Sequence, residues 1–224
     1  MKFLFRFIIL AFLIIIHHQE INAQGCIAVR HMSCATGTVK MCIRDRSGTL
    51  ITRKTNIGNS RTGGIEVFLQ KDFYPSQKTV ISFFTASSWM SAYYESAQVR
   101  LGTENVDISG NRVESTPSWI SRVGGTIKFL KLSGSALWSY TSVSFADAVN
   151  SRTPNSTGST GLVPAYTLLD LSGSVRLNHQ YKTTFNVNNV FNKHYFTKRP
   201  QFYPGPGIWP SDGRTFSVIF SILI

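Results

Sequence analysis

The side chains able to do chemistry are few and scattered. His17 and His18 are adjacent, and neighbours on a helix or strand point apart, so they do not make a metal pair. Cys26, Cys34 and Cys42 have no Cys-x-x-Cys spacing, which argues against a zinc site. Cys26 and Cys34 are near enough in sequence to pair in an oxidising compartment. No Ser-His-Asp set, His-Glu-x-x-His motif, glycine-rich phosphate loop or pair of catalytic carboxylates is present. Asp170 falls on the polar face of an alternating segment and His179 in a turn. The residues therefore predict no enzyme, no resident metal and no cofactor.

The elements that would position any site are legible. The chain has 224 residues, 42% hydrophobic and only 15% charged, against about 25% charged in an average soluble domain. The formal net charge is +12, but the basic residues are never in blocks, so a nucleic-acid partner is not expected. Lys2 and Arg6 precede an unbroken apolar run over residues 7–16, followed by His17, His18, Gln19 and Glu20 and a cleavage-type Ala23. This is the layout of a secretory signal peptide, expected to be helical and to span residues 1–23, and the run is too short to cross a bilayer. Composition shifts near residue 47. Just before it, Met41-Cys42-Ile43-Arg44-Asp45-Arg46 looks like the translation of a transposon-end adapter used in sequencing libraries. Residues 24–47 are accordingly expected to hold an artificial junction, with the main body starting at residue 48.

From there the apolar period is two, not 3.6. In the last segment Phe216, Val218, Phe220, Ile222 and Ile224 share one face, and Thr215, Ser217, Ile219 and Ser221 the other. Strands are expected over 48–54, 61–70, 79–95, 121–130, 133–146, 166–177, 182–196 and 214–224. Connectors near Pro75, Lys131 and His179 are short; those over 100–117, 147–164 and 197–213 are long. Short and long alternate strictly, as they do in an up-and-down transmembrane barrel with turns on one side and loops on the other. Several strands reach the ~9–11 residues that cross a bilayer at a tilt. Phe73, Tyr74, Trp119, Tyr166, Tyr181, Tyr195 and Phe196 suit interfacial belts. The stretch Asn155-Ser156-Thr157-Gly158-Ser159-Thr160-Gly161 is low in complexity and is expected to be mobile.

Val163-Pro164-Ala165-Tyr166-Thr167-Leu168-Leu169-Asp170-Leu171 resembles a late strand of TonB-dependent outer-membrane receptors. Phe185-Asn186-Val187-Asn188-Asn189-Val190-Phe191-Asn192-Lys193-His194-Tyr195 is similar to their penultimate strand, and Gly213-Arg214-Thr215-Phe216 to the entry of their last. The stretch from Phe196 to Pro200 and Phe202-Tyr203-Pro204-Gly205-Pro206-Gly207-Ile208-Trp209-Pro210 resemble receptors of the ferric-dicitrate and ferric-siderophore type. The resemblance covers roughly residues 48–224. It implies an all-β antiparallel barrel of about 22 strands, of which this chain carries about 7–8, and an N-terminal plug, for which the span between signal and strands leaves no room. It further implies uptake of ferric chelates (siderophore or ferric citrate), powered by TonB–ExbB–ExbD, in an outer membrane reached through the barrel-assembly machinery. Arg100, Arg112, Lys198 and Arg199 are then the candidates to attract an anionic chelate, with Tyr203 and Trp209 as stacking partners. Phe216, Val218, Phe220 and Ile222 are expected to face lipid, with Ser217 and Ser221 opposite. Two other readings remain open on the residues alone: a complete small eight-stranded outer-membrane barrel with a structural or adhesive role, and a secreted soluble β-sandwich that binds a ligand.

Overall fold

A computed structural model describes residues 58–201 and 205–222 with their side chains, and the backbone of strands lying between residues 19 and 56. In chain order the strands are β1 (Gln19–Gln24), β2 (Met32–Ser33), β3 (Thr38–Arg44), β4 (Leu50–Asn56), β5 (Gly58–Ser76), β6 (Thr79–Leu101), β7 (Glu104–Asp107), β8 (Trp119–Phe129), β9 (Leu132–Thr141), β10 (Ser144–Phe145), β11 (Leu162–Val163), β12 (Tyr166–Arg176), β13 (Tyr181–Asn188), β14 (Phe196–Lys198), β15 (Trp209–Pro210) and β16 (Thr215–Ile222). Among the described residues there is no helix. Residues 1–18 of the expected helical signal segment, Cys26, Cys34, Tyr203 and Ile224 lie outside them, and the end of that segment falls in β1.

The main sheet runs β1-β5-β6-β8-β9-β12-β13-β16, with β7 added to β6, and every pairing is antiparallel. From β5 onward the path is a meander. The expected first strand, 48–54, does not join it. Its place is in β4, which pairs with β3 in a separate small sheet that takes in junction residues 41–44; β1 lies beside β5 instead.

Short turns join the long strands at one end, and their side chains explain why the chain reverses there. Ser76 Oγ accepts from Lys78 N at 3.2 Å and donates to Thr79 Oγ1 at 3.0 Å. Asn178 Oδ1 accepts from both Gln180 N and Tyr181 N at 2.8 Å, an Asx turn. Leu130 takes a left-handed φ of 52°. This turn is tied to its neighbour by Arg176 N donating to Lys131 O at 2.8 Å.

Two expected strands end early. The segment 182–196 stops as β13 at Asn188, because Asn189 and Asn192 adopt φ of 50° and 51°. Asparagine tolerates this region and its side chain then satisfies the freed backbone. Asn189 Oδ1 accepts from Lys193 N at 2.8 Å, Asn192 Oδ1 accepts from Arg214 N at 3.0 Å, and Asp170 Oδ1 accepts from Asn189 N at 2.7 Å. The Asn-Asn-Val-Phe-Asn motif is thus a rim turn, and Asp170 is its anchor. The segment 133–146 stops as β9 at Thr141, and the short β10 follows.

Register divides the sheet into two chemical faces. Directly opposed residues share a face. Asp72, Ser82, Thr126, Ser135, Ser172, Asn186 and Ser217 form one unbroken row across seven strands. Hydrogen bonds run along it: Ser172 Oγ donates to Asn186 Oδ1 at 2.7 Å, and Asn186 Nδ2 to Ser217 Oγ at 3.0 Å. A depression of about 350 Å³ opens on this side, lined by Thr126, Ser135, Asp170, Ser172, Asn186 and Asn188 among others. The opposite parity carries Ile65, Phe73, Ile81, Phe83, Trp89, Trp119, Ile127, Trp138 and Phe185, all exposed. On β16, Phe216 is 72% and Phe220 78% exposed, and Val218 and Ile222 point the same way.

Phe84 is an exception on the polar face. Its ring lies over Gly124 on the opposed strand, where a Cβ would sit 2.2 Å from a ring carbon. Gly124→Val should displace that ring and cost about 1–3 kcal/mol. Gly173→Ala, whose added Cβ would meet nothing within 4 Å, should be close to neutral. Urea titration of the membrane-refolded chain, followed by gel mobility without heating, compares the two.

Candidate functional site

The three long connectors, 102–118, 142–165 and 189–214, gather at the end of the sheet away from the short turns. They are not loose. β6 extends past the end of β8 as far as Leu101, and turns back through β7 as a hairpin. Along that extension Ala92, Tyr94, Ala97 and Val99 are buried. Tyr94, Ala97 and Val99 pack with Ile108 and with Ala148 of the second loop, and Val106, Val113 and Val149 close the cluster. The loops thus own a small hydrophobic core, on the same side of β6 as the polar face up to Tyr94.

Polar contacts join the first two loops. Asn150 Oδ1 accepts from Arg112 N at 2.8 Å, while its Nδ2 donates to Arg112 O at 2.8 Å. Asn111 Nδ2 donates to Ala148 O at 2.9 Å, and Ser115 N to Phe145 O at 2.7 Å. Tyr94 Oη donates to Glu114 Oε2 at 2.5 Å inside the core. Buried Asp147 holds the second loop shut, its two oxygens accepting from Ser151 N and Gly161 N, each at 3.1 Å. The low-complexity stretch expected to be mobile is closed by Asn155, whose Oδ1 accepts from Ser159 N at 2.9 Å and from Thr157 Oγ1 at 3.2 Å.

Arg199 ties the third loop to the second. Its Nε donates to Leu162 O at 2.9 Å and its Nη1 to Gly158 O at 2.7 Å, with the guanidinium 4.7 Å from the centre of the Phe196 ring. Partial burial lowers its pKa from the ordinary arginine value, and it stays charged at any working pH. Two of its donors are thus spent on carbonyls, which makes it a strut between loops.

The other expected ligand groups are spread around the loops. Lys198 and Trp209 are opposed on the β14–β15 hairpin, both exposed. Arg100 stands near the tip of the β6–β7 hairpin, opposite Asn105, with its Nε donating to Gly102 O at 3.3 Å. Arg112 opposes Tyr93, so it lies on the other side of the strand from Tyr94 and the loop core. The structure opposes Lys198 and Trp209 on one hairpin, turns Arg199 to the second loop, and places Arg100 and Arg112 on the first loop and its base. Sequence reasoning missed the residues that build the cap: Asn150, Asp147, Asn155 and Tyr94. The available signal was side-chain type, since Asn and Asp in loops bond to nearby backbone.

One carboxylate in the cap is shifted. Ser109 Oγ donates to Asp107 Oδ1 at 2.6 Å and Ser109 N at 2.9 Å, and these bonds, the hydroxyl's first, hold the Asp107 pKa below its usual range. A lowered carboxylate pKa stabilises the hairpin end above the ordinary value, and that contribution is lost as pH falls through the lowered one. Among the described residues, no group of three or more His, Cys, Asp or Glu side chains could hold a metal.

Comparison with known proteins places this arrangement. The family described as TonB dependent receptor-like, beta-barrel matches residues 30–190. No curated protein matches the chain. Among solved structures, the unliganded ferric citrate transporter FecA superposes with a TM-score of 0.62 at 21% identity, over 83% of this chain and 27% of that one. The siderophore receptor PiuA from Acinetobacter baumannii gives 0.59 at 21% identity, over 83% and 23%. The ferric yersiniabactin uptake receptor FyuA from Yersinia pestis gives 0.58 at 16%, over 76% and 24%. The chain thus spans about a quarter of the length of the structures it matches. With a family match over most of its length and the same antiparallel wall, the chain belongs to the TonB-dependent receptor β-barrel family.

Proposed function

We propose that this chain forms wall and loops of an outer-membrane receptor that takes up ferric chelates, siderophore or ferric citrate. Energy comes from TonB–ExbB–ExbD through the plug that family membership implies, and the barrel-assembly machinery inserts the wall. The observation that carries this reading is the two-faced sheet. Trp119 and Phe129 bound the apolar face of β8. They are separated by about 34 Å of strand at ~3.4 Å per residue. At a tilt of ~45° that is about 24 Å across, which matches the ~25 Å apolar band of an outer-membrane barrel. The exposed apolar side then meets lipid, the polar row Asp72 to Ser217 lines the lumen, and the tied loops lie outside the cell.

In this reading the exposed pair Lys198 and Trp209 supplies the chelate-facing chemistry of the third loop. An ammonium attracts an anionic complex, and an indole face stacks on an aromatic or planar ligand. Arg199 holds the loop that carries them. A soluble sandwich is disfavoured by the long row of exposed apolar side chains, which no other sheet covers among the described residues. A closed eight-stranded barrel is disfavoured because β16 pairs with β13 alone among the described residues.

The two faces are tested by charge. Val123→Arg, near mid-band on the apolar side, should cost about 2–4 kcal/mol of membrane stability, and Thr126→Arg on the polar side close to nothing. Refolding into lipid vesicles across a urea series reads both; equal costs would remove the lipid-face assignment. Arg199→Ala should speed amide exchange at Arg199's loop and at residues 155–161, with little change in β12 or β13. Uptake is tested in the receptor that contains this wall, expressed in a strain lacking its own ferric-chelate receptors. Growth under iron limitation should need TonB, and Lys198→Gln with Trp209→Ala should raise the chelate concentration required by about tenfold, as loss of roughly 1.4 kcal/mol predicts. TonB-independent growth would overturn the proposed function.

A further inference from the structure

The polar face is not uniform along its height. The row from Asp72 to Ser217, near the short turns, is polar in every strand. Two rows nearer the loops differ. Tyr166, Thr141, Ile120, Ser88 and Glu66 oppose one another in turn, and next to them Leu168, Ser139, Arg122, Ala86 and Phe68 do the same. Parity puts both rows on the side of Asp170 and Ser172. The face thus changes from hydroxyls and amides near the short turns to aromatic and aliphatic groups near the loops. Phe68 is 64% exposed there, its ring 6.4 Å from that of Phe84. Tyr166, expected in an interfacial belt, is on the opposite face from Trp119 and Trp138.

Tyr195 of the third loop packs on Tyr166, with ring centres 4.6 Å apart and planes tilted by 35°. Its carbonyl accepts from Ser211 N at 3.1 Å, and β14, which carries Lys198, follows it directly. The tyrosine pair and the Lys198–Trp209 pair therefore belong to one surface that runs from the third loop onto the wall. On that wall Leu168 is the next residue of β12 facing the same way, and Ile120 stands two strands across. Arg122 is exposed beside them. Two strand spacings and one row separate it from Tyr166, about 12 Å. Among the described residues its guanidinium forms no hydrogen bond or ion pair, and neither tyrosine hydroxyl is bonded. Two carboxylates bound the patch. Glu66 accepts from Ser88 Oγ at 3.5 Å on the β5 side, and Asp170 Oδ1 accepts from Asn189 N on the side of the short turns.

Resting on the uptake reading above, we propose that Tyr166, Tyr195 and Arg122, with the apolar shelf of Leu168 and Ile120, select a ferric chelate whose iron is held by aryl oxygens, of catecholate or phenolate type, over ferric citrate. The tyrosine pair offers a ring face and a ring edge to an aryl group, since aromatic pairs prefer offset or tilted contact. The shelf takes the apolar edge of that group out of water. The Arg122 fork pairs with the anionic oxygens that face the wall. Glu66 and Asp170 repel the anion on two sides and confine it between β8 and β12. Citrate has carboxylates and a hydroxyl but no ring. It can use Arg122, but it must lose hydration against the shelf and the tyrosines without return. Lys198 and Trp209 remain the first contact at the loops, and the wall patch sets which chelate is kept.

The test uses the whole receptor that contains this wall, purified in detergent, with ferric dihydroxybenzoate and ferric citrate as probes. Unheated gel mobility shows that each variant is folded, and equilibrium dialysis with radioactive iron reads affinity. The wild type should bind ferric dihydroxybenzoate about tenfold or more tighter than ferric citrate. Tyr166→Leu with Tyr195→Leu should weaken the aryl chelate about tenfold and leave ferric citrate unchanged. Arg122→Gln should weaken the aryl chelate about tenfold and flatten its salt dependence. Tyr166→Phe, which keeps the ring and its packing, should retain the preference. Arg176→Gln, an exposed cation at the short-turn end, should change neither affinity. If the double leucine variant does not fold, Arg122→Gln decides alone. Equal affinity for the two chelates, equal loss of both in the tyrosine variant, or equal loss in Arg176→Gln would overturn the selection. Lower urea resistance with chelate affinity unchanged would give the patch to the plug and overturn it as well. Binding of neither chelate would also overturn it, while the uptake reading falls only if growth is independent of TonB.

Discussion

Side chains change face at every residue of a strand, so a register slip of one residue would exchange the two faces of the wall. Everything else in this molecule depends on that register being held. It is held by cross-strand side-chain bonds on the polar face, such as Ser133 Oγ to Ser174 Oγ at 2.7 Å and Asn188 Nδ2 to Thr215 Oγ1 at 3.1 Å. Short turns set it at one end, where Asn178 fixes the reversal between β12 and β13. A glycine makes room for it: Gly124 leaves the space that the Phe84 ring fills. Backbone N–H and C=O groups are paired strand to strand, which is the one way a sheet can satisfy them in hydrocarbon.

The loop end is built on a different principle. The wall has no core between layers, and its apolar face stays open to its surroundings. The loops instead collapse on a cluster of their own, around Tyr94 and Ile108, and cross-link through backbone-to-side-chain bonds. The first and second loops share Asn150, and the second and third share Arg199. A rigid cap costs less ordering entropy when a ligand arrives than three free loops would. The same cap places the cations differently: Arg199 is bonded to carbonyls of the second loop, and Arg112 opposes Tyr93 on the side of β6 away from Tyr94.

Much of the wall was legible from residues alone. Alternation in Phe216–Ile222, short turns at Pro75, Lys131 and His179, and the strict alternation of connector lengths require only local chemistry, and the meander follows from them. Less was legible where local chemistry is ambiguous. The segment 182–196 alternates well enough to pass for one strand, but Asn189 and Asn192 enter the left-handed region because Asp170, Lys193 and Arg214 are there to complete the bonds. Asp170 and Arg214 are distant in sequence. The run Asn155–Gly161 has a flexible composition, yet one asparagine side chain closes it.

The sequence by itself determined the strand period, the polar and apolar faces and the family motifs, because each depends on residue type at fixed short spacing. Tertiary structure decided where each cation stands. Arg100, Arg112, Lys198 and Arg199 are equivalent as letters in polar connectors. Their surroundings depend on which side of an extended strand each occupies and on which carbonyls lie within reach. Both are set by long-range pairing: Tyr93 with Arg61 and Arg112 on one side of β6, and the second loop's carbonyls with Arg199 of the third loop. Spacing along the chain carries no information about such contacts, since the partners meet only after the wall has brought its loops to one end.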